Sequence, residues 1–116
     1  MRVIVMVKAS SSSEAGEMPS EQLLTEMGKY NEELVKAGIL LAGEGLHPSS
    51  KGVRVAFSGP SRKVIDGPFA ETKEQLGGFY VFDCANLDDA IRYAAMIPTA
   101  AFGSIEIRPI LELRKP

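Results

Sequence analysis

The chain has 116 residues, with 13 basic and 15 acidic side chains, a net charge of −2 and 45% hydrophobic residues. It suits one domain over residues 1–116, in which folding buries roughly 65% of the unfolded chain's surface. The absence of a Lys/Arg cluster argues against nucleic acid, no apolar run nears the roughly 20 residues that span a bilayer, and a lone cysteine without signal-peptide features points to a cytoplasmic setting.

Arg2 to Lys8 is a β-branched run bounded by charges, too short for a helix, and it predicts a central strand buried on both faces. Ala9 to Met18 is rich in Ser, Gly and Glu and reads as a surface loop or lid. Ser20 caps a helix with Glu21 in its first turn. Leu23, Met27, Tyr30 and Leu34 recur along one face of that helix, and Gly38 fits the left-handed position past its end. Ile39 to Ala42 begins a second strand, and Gly43, Gly45 and Pro48 mark its bend or end, with His47 close by.

Val53, Val55 and Phe57 alternate with Arg54 and Ala56, Ser58-Gly59-Pro60 turns, and Val64-Ile65 resumes the pattern: a hairpin with one wetter face, ended by Asp66-Gly67-Pro68. Glu71 to Gln75 reads as a solvated loop around Lys73. Gly78 to Phe82 is apolar at successive positions and predicts a second two-sided central strand. Asn86 caps a short helix with Asp88 and Asp89 in its first turn. Ala90, Ile91, Ala94 and Ile97 form its inner stripe, and Pro98 stops it. Ile105 and Ile107 alternate with charges in a last strand that continues towards Leu113 beyond Pro109.

The order β-α-β-hairpin-β-α-β predicts an α+β, ferredoxin-like arrangement with both helices on one side of a mostly antiparallel sheet. The other side is then bare. Each large apolar side chain left in water there forgoes about 1.5–3 kcal/mol, and a second subunit offering the same face is the simplest cover, so a homodimer is expected. Such pairing leaves a pocket near the sheet edges for a small-molecule ligand.

Asp66-Gly67-Pro68-Phe69-Ala70-Glu71-Thr72-Lys73-Glu74-Gln75-Leu76-Gly77-Gly78-Phe79-Tyr80 resembles the hallmark of the YCII-related family, in its DGPF-domain branch. Ala42-Gly43-Glu44-Gly45-Leu46, Leu87-Asp88-Asp89-Ala90 and Ile105-Glu106-Ile107-Arg108-Pro109 extend the resemblance over nearly the whole chain. It implies a dimeric α+β barrel. Some relatives are lyase-like enzymes, and others are encoded beside, or fused to, extracytoplasmic-function sigma factors, so a sigma-factor association is implied by resemblance alone. The enzyme-like members pair a His in the first helix with an Asp near the end of the second. Here the first helix holds no His and the second ends Met96-Ile97-Pro98-Thr99, so the pair does not carry over. Phe102 stands where many DGPF relatives have another His.

Among the remaining groups His47 is the one whose ordinary pKa lies near neutrality, which makes it the first acid–base candidate beside an exposed-loop reading. Asp66 is the second candidate, as a general base or as a turn-holding carboxylate. Glu44, Arg54 and Arg108 lie on or near strands from which they can face a shared cavity, where an arginine holds a carboxylate by paired hydrogen bonds; surface salt bridges explain them equally. Tyr80 is a ligand-orienting hydroxyl or a packing aromatic. One His and one Cys cannot close a zinc site, no metal or cofactor is expected, and Cys84 has no basic neighbour to make it reactive. Three functions are therefore carried forward: a small-molecule-binding or regulatory domain, a lyase- or isomerase-type enzyme using His47 or Asp66, and, by resemblance alone, a partner of a sigma factor.

Overall fold

The computed structural model describes residues 1–70, 75–98 and 103–113. Six strands run in chain order: β1 (Arg2–Lys8), β2 (Leu40–Gly45), β3 (Val53–Ser58), β4 (Ser61–Asp66), β5 (Leu76–Asp83) and β6 (Ile105–Pro109). The helices are α1 (Ser11–Glu14), α2 (Glu21–Lys36) and α3 (Leu87–Ala95), and a 3-10 turn covers Ser49–Lys51. The sequence positions proposed for Glu71, Lys73, Glu74, Thr99 and Phe102 lie outside the described residues.

Strands β2-β5-β1-β6 form one sheet in which every pair is antiparallel, and β3 and β4 form a separate hairpin. With α2 between β1 and β2 and α3 between β5 and β6, the fold is α+β with the predicted β-α-β order, and the two apolar runs occupy the two central strands. The register shows how each central strand divides its side chains. Val3, Val5, Tyr80 and Phe82 share one face and are buried with Tyr30 and Leu34 of α2 and Ala90 and Ala94 of α3. Both helices therefore cover the same face. On the other face the register aligns two rows, Glu44-Phe79-Met6-Glu106 and Ala42-Val81-Ile4-Arg108. No element of the described residues packs a core against those rows.

Local chemistry fixes the helices. The Ser20 hydroxyl accepts from the Leu23 amide at 3.2 Å, satisfying one orphan N–H of α2, and Asn86 does the same for α3 through Asp89 at 2.9 Å. Gly38, at φ +74°, takes the left-handed position that lets Ile39 turn back toward the sheet. The inner stripe of α3 is narrower than expected: Ala90, Ala94 and Ile97 are buried, but Ile91 is exposed because it falls on the outward side of the turn between Ala90 and Ala94.

One hydrogen bond ties the helices together across the core. The Tyr30 hydroxyl donates to the Tyr93 carbonyl at 2.6 Å, and burial, with Tyr93 and Glu33 adding, pushes its pKa from 10.0 to about 12. Because the folded-state value is raised, this group's stabilisation is complete below the unfolded value of 10.0 and is lost as pH rises through about 12. Tyr30→Phe is expected to cost about 1 kcal/mol at neutral pH, the worth of one neutral hydrogen bond, since the Tyr93 carbonyl still accepts from the Met96 amide, and to flatten the alkaline loss of stability. Urea titrations of both proteins at neutral and strongly alkaline pH check this, and parallel curves at both would disprove it.

Three local expectations change. Residues Ala9 to Met18 are not wholly loop, because Ser10 and Ser13 form a reciprocal capping box that supports the single turn of α1. The last strand stops at Pro109, and Leu111 and Leu113 are exposed beyond it. The hairpin has no covered face, since every residue of β3 and β4 is exposed. Alternation made the face of Val53, Val55 and Phe57 look buried, but the main sheet lies elsewhere and leaves that face without a neighbour.

Candidate functional site

A cavity of about 900 Å³ opens between α2 and the sheet. The apolar stripe of α2 explains why. Its C-terminal half, Tyr30 and Leu34, reaches the core, whereas Leu23 and Met27 in its N-terminal half are half-buried and line the cavity. The floor is built from glycines of two adjacent strands, with Gly43 and Gly45 in β2 and Gly78 in β5, and the Tyr80 ring lies over Gly43. The segment containing α1 lies along another wall, through Ser10, Ser13 and Met18.

Gly43 is required by packing: a β-carbon there would stand 2.8 Å from Cδ1 of Tyr80. The Tyr80 ring occupies that space, 5.7 Å from the Phe82 ring, and borders the cavity. Burial pushes its phenol pKa upward, so the hydroxyl stays protonated at neutral pH. Among the described residues that hydroxyl makes no hydrogen bond. A second polar group nearby is also unmatched, since Asn31 lines the cavity and its Oδ1 is buried without a partner. Of the two, Asn31 Oδ1 is the buried atom, and leaving such a group unpaired costs about 1–3 kcal/mol.

The Asp66–Phe69 turn sits beside the cavity and is linked to its wall. A β-carbon on Gly67 would lie 1.8 Å from the Ser49 carbonyl oxygen, so only glycine allows the turn to approach the 3-10 turn. The Gly67 amide donates to the Gly52 carbonyl at 3.0 Å and the Phe69 amide to the Ser49 hydroxyl at 3.2 Å. Ser49 in turn donates through its amide to Glu14 Oε1 at 2.9 Å and through its hydroxyl to Glu14 Oε2. Glu14 belongs to α1. The turn, the 3-10 segment and the wall over the cavity are thus one hydrogen-bonded chain.

The structure distributes the six sequence candidates. His47 lies two residues beyond β2, exposed, and borders both the large cavity and a smaller one of about 380 Å³ beside Glu14, Ser49 and Phe69. Glu44 and Tyr80 also border the large cavity, Glu44 from an exposed position in the outer row of the sheet. Asp66 ends β4, exposed, and among the described residues its carboxylate receives no hydrogen bond, because Ser49 holds the turn instead. The Arg54 guanidinium lies 3.8 Å over the Phe69 ring. Arg108 sits in the outer row opposite Ile4. His47, Glu44 and Tyr80 are thus brought to one cavity, while Asp66, Arg54 and Arg108 line neither cavity.

Sequence reasoning missed Asn31, Glu14 and Ser49. For Asn31 a signal exists, a polar residue four positions after Met27 on an otherwise apolar helix face. For Glu14 and Ser49 none does, since their contact spans 35 positions. Burial, then Asp89 and Asp83, pushes the Cys84 thiol pKa up, which keeps it an unreactive thiol. Among the described residues no three His, Cys, Asp or Glu side chains cluster as metal ligands, and no helix is long and apolar enough to cross a membrane.

Fold and cavity together define an α+β domain with a ferredoxin-like antiparallel sheet and a concave site between one helix and a glycine floor. The chain belongs to the YCII-related domain family, whose model matches residues 1–114. An uncharacterised protein of Rhizobium meliloti (strain 1021) is 41% identical over 98 residues, covering 83% of this chain and 78% of its own length. Among solved structures, the fold is similar to that of 5-chloro-2-hydroxyhydroquinone dehydrochlorinase from Burkholderia phenoliruptrix AC1100 in complex with 2,5-dihydroxybenzoquinone. That match has a TM-score of 0.55 at 14% identity and covers 96% of this chain and 94% of the other.

Proposed function

We propose that this chain is a DGPF-branch YCII domain that works as a homodimer and binds a planar, uncharged, oxygen-bearing small molecule in the cavity beneath α2. The observation that carries this reading is Asn31 Oδ1, buried without a partner in a cavity that the Tyr80 ring, Leu23, Met27 and several glycines also line. Few convergent polar groups in an apolar cleft are what a small-molecule site needs. The glycine floor suits a flat ring, because Gly45 and Gly78 present only backbone beside the Tyr80 ring. Charge argues against an anion: of the charged residues described along the cavity, Lys8 is paired with Glu106 at 3.6 Å, and Glu17 and Glu44 are carboxylates. The quinone bound by the dehydrochlorinase shares the planar, oxygen-bearing ring, which supports the choice of ring-shaped probes.

The test is a thermal-shift titration with phenols and methoxy-substituted benzoquinones, which stay uncharged at neutral pH, alongside phosphorylated and carboxylated compounds. Only the first group is expected to raise the Tm, since a ligand that prefers the folded state stabilises it by mass action. Tyr80→Phe is expected to weaken binding by about five- to tenfold, the worth of one neutral hydrogen bond. If no phenol or quinone shifts the Tm, or if Tyr80→Phe binds as well as the parent, the reading fails.

A second reading is favoured by His47, which borders both cavities. In it the domain is a lyase- or isomerase-type enzyme and His47 transfers a proton to or from the bound ring. Turnover of a bound quinone or phenol that disappears in His47→Ala, with binding retained, distinguishes this reading from simple binding.

A further inference from the structure

The β3–β4 hairpin projects from the body as two strands exposed on both faces. Its register places Val53, Val55, Phe57 and Val64 together, with Arg62 opposite Phe57 near the tip. Those four apolar side chains are 57%, 44%, 76% and 59% exposed. An isolated two-stranded hairpin is marginal in water, and an exposed apolar strip on one marks a contact surface. We propose that this hairpin is an arm that packs its Val53-Val55-Phe57-Val64 face against a second copy of the chain, a role that rests on the homodimer proposed above.

Three observations point to a second copy as the occupant. The chain exposes 8379 Å², whereas a compact monomer of its mass exposes about 6,200 Å², and the excess of about 2,200 Å² is more than the roughly 800 Å² each partner gives to a stable interface. The radius of gyration is 16.2 Å against about 13.4 Å for a compact chain of this length, and the molecule measures 47 × 46 × 18 Å. A flat body with a projecting arm has the shape of half an assembly. The open sheet rows alone offer Ile4, Met6, Phe79 and Val81, so the arm supplies a second apolar area to the same interface.

Sedimentation equilibrium of the full chain and of Phe57→Asp tests the arm. The parent is expected to be a dimer, and Phe57→Asp to raise its dissociation constant at least about tenfold, because a central aromatic anchors such interfaces. Its far-UV circular dichroism should not change, since Phe57 touches nothing buried. Met6→Glu, in the open sheet, separates the two contributions: dissociation by Met6→Glu but not by Phe57→Asp leaves the sheet pairing standing and overturns the arm. A benzophenone amino acid in place of Phe57 gives an independent readout. Crosslinks joining two chains support the arm, and crosslinks confined within one chain overturn it. A parent protein that stays monomeric at high micromolar concentration overturns the arm and the sheet pairing together.

Discussion

Gly67→Ala is expected to destabilise the protein by at least about 3 kcal/mol, lowering the Tm by more than about 10 °C, because overpacking against backbone cannot be relieved by a side-chain rotation. The new β-carbon would meet the Ser49 carbonyl oxygen at 1.8 Å and its carbon at 2.6 Å. Relief requires the two segments to separate, which breaks the 3.0 Å Gly67–Gly52 bond and the 3.2 Å Phe69–Ser49 bond. The Glu14 link then no longer joins α1 to the Asp66 turn, so affinity for any ligand of the cavity should fall as well. Gly45→Ala is the control. It places a β-carbon with nothing within 4 Å and should change stability by less than about 0.5 kcal/mol. Thermal denaturation of the two variants decides the matter, and equal melting temperatures would show that the close approach is not maintained in solution.

The second large effect separates two phenylalanines of one strand. Phe82 is fully buried against the helices, and Phe82→Ala should cost about 3–5 kcal/mol in transfer and cavity terms. Phe79, three residues earlier, lies in the uncovered row and is half-buried. Phe79→Ala should cost less than about 1.5 kcal/mol in the stability of the single chain, the worth of partial burial. Its larger effect falls on pairing between copies. Denaturant titration for stability and sedimentation for assembly read the two quantities separately. Equal losses of stability for both variants would mean that the outer row is covered within one chain.

Much of the fold was legible because the local signals agreed with one another. Ser20 and Asn86 both cap the helices they were expected to cap, Gly38 takes the left-handed position, and the two continuous apolar runs are the central strands. Where local pattern misled, a tertiary neighbour was missing or unforeseen. Alternation in Val53-Arg54-Val55-Ala56-Phe57 implies a covered face, yet coverage depends on where the main sheet lies. Asp66 resembles a turn-holding carboxylate, but the turn is held by Ser49, brought from the far side of the hairpin.

The candidate site shows the same division. His47, Glu44 and Tyr80 were identifiable from residue type and strand placement, and the structure brings all three to one cavity. The unmatched state of Asn31 Oδ1 and the Glu14–Ser49–Phe69 chain were not identifiable, because each depends on which distant groups do or do not arrive nearby.

The sequence by itself determined the strands, the helices and their caps, since these follow from side-chain periodicity and from hydrogen bonds reaching three or four residues. Only the tertiary structure decided which face of each central strand the helices take, that the hairpin stands apart, and that α2 lifts from a glycine floor to leave a cavity. Those outcomes depend on how surfaces far apart in the chain fit together, and short-range pattern carries no record of that fit.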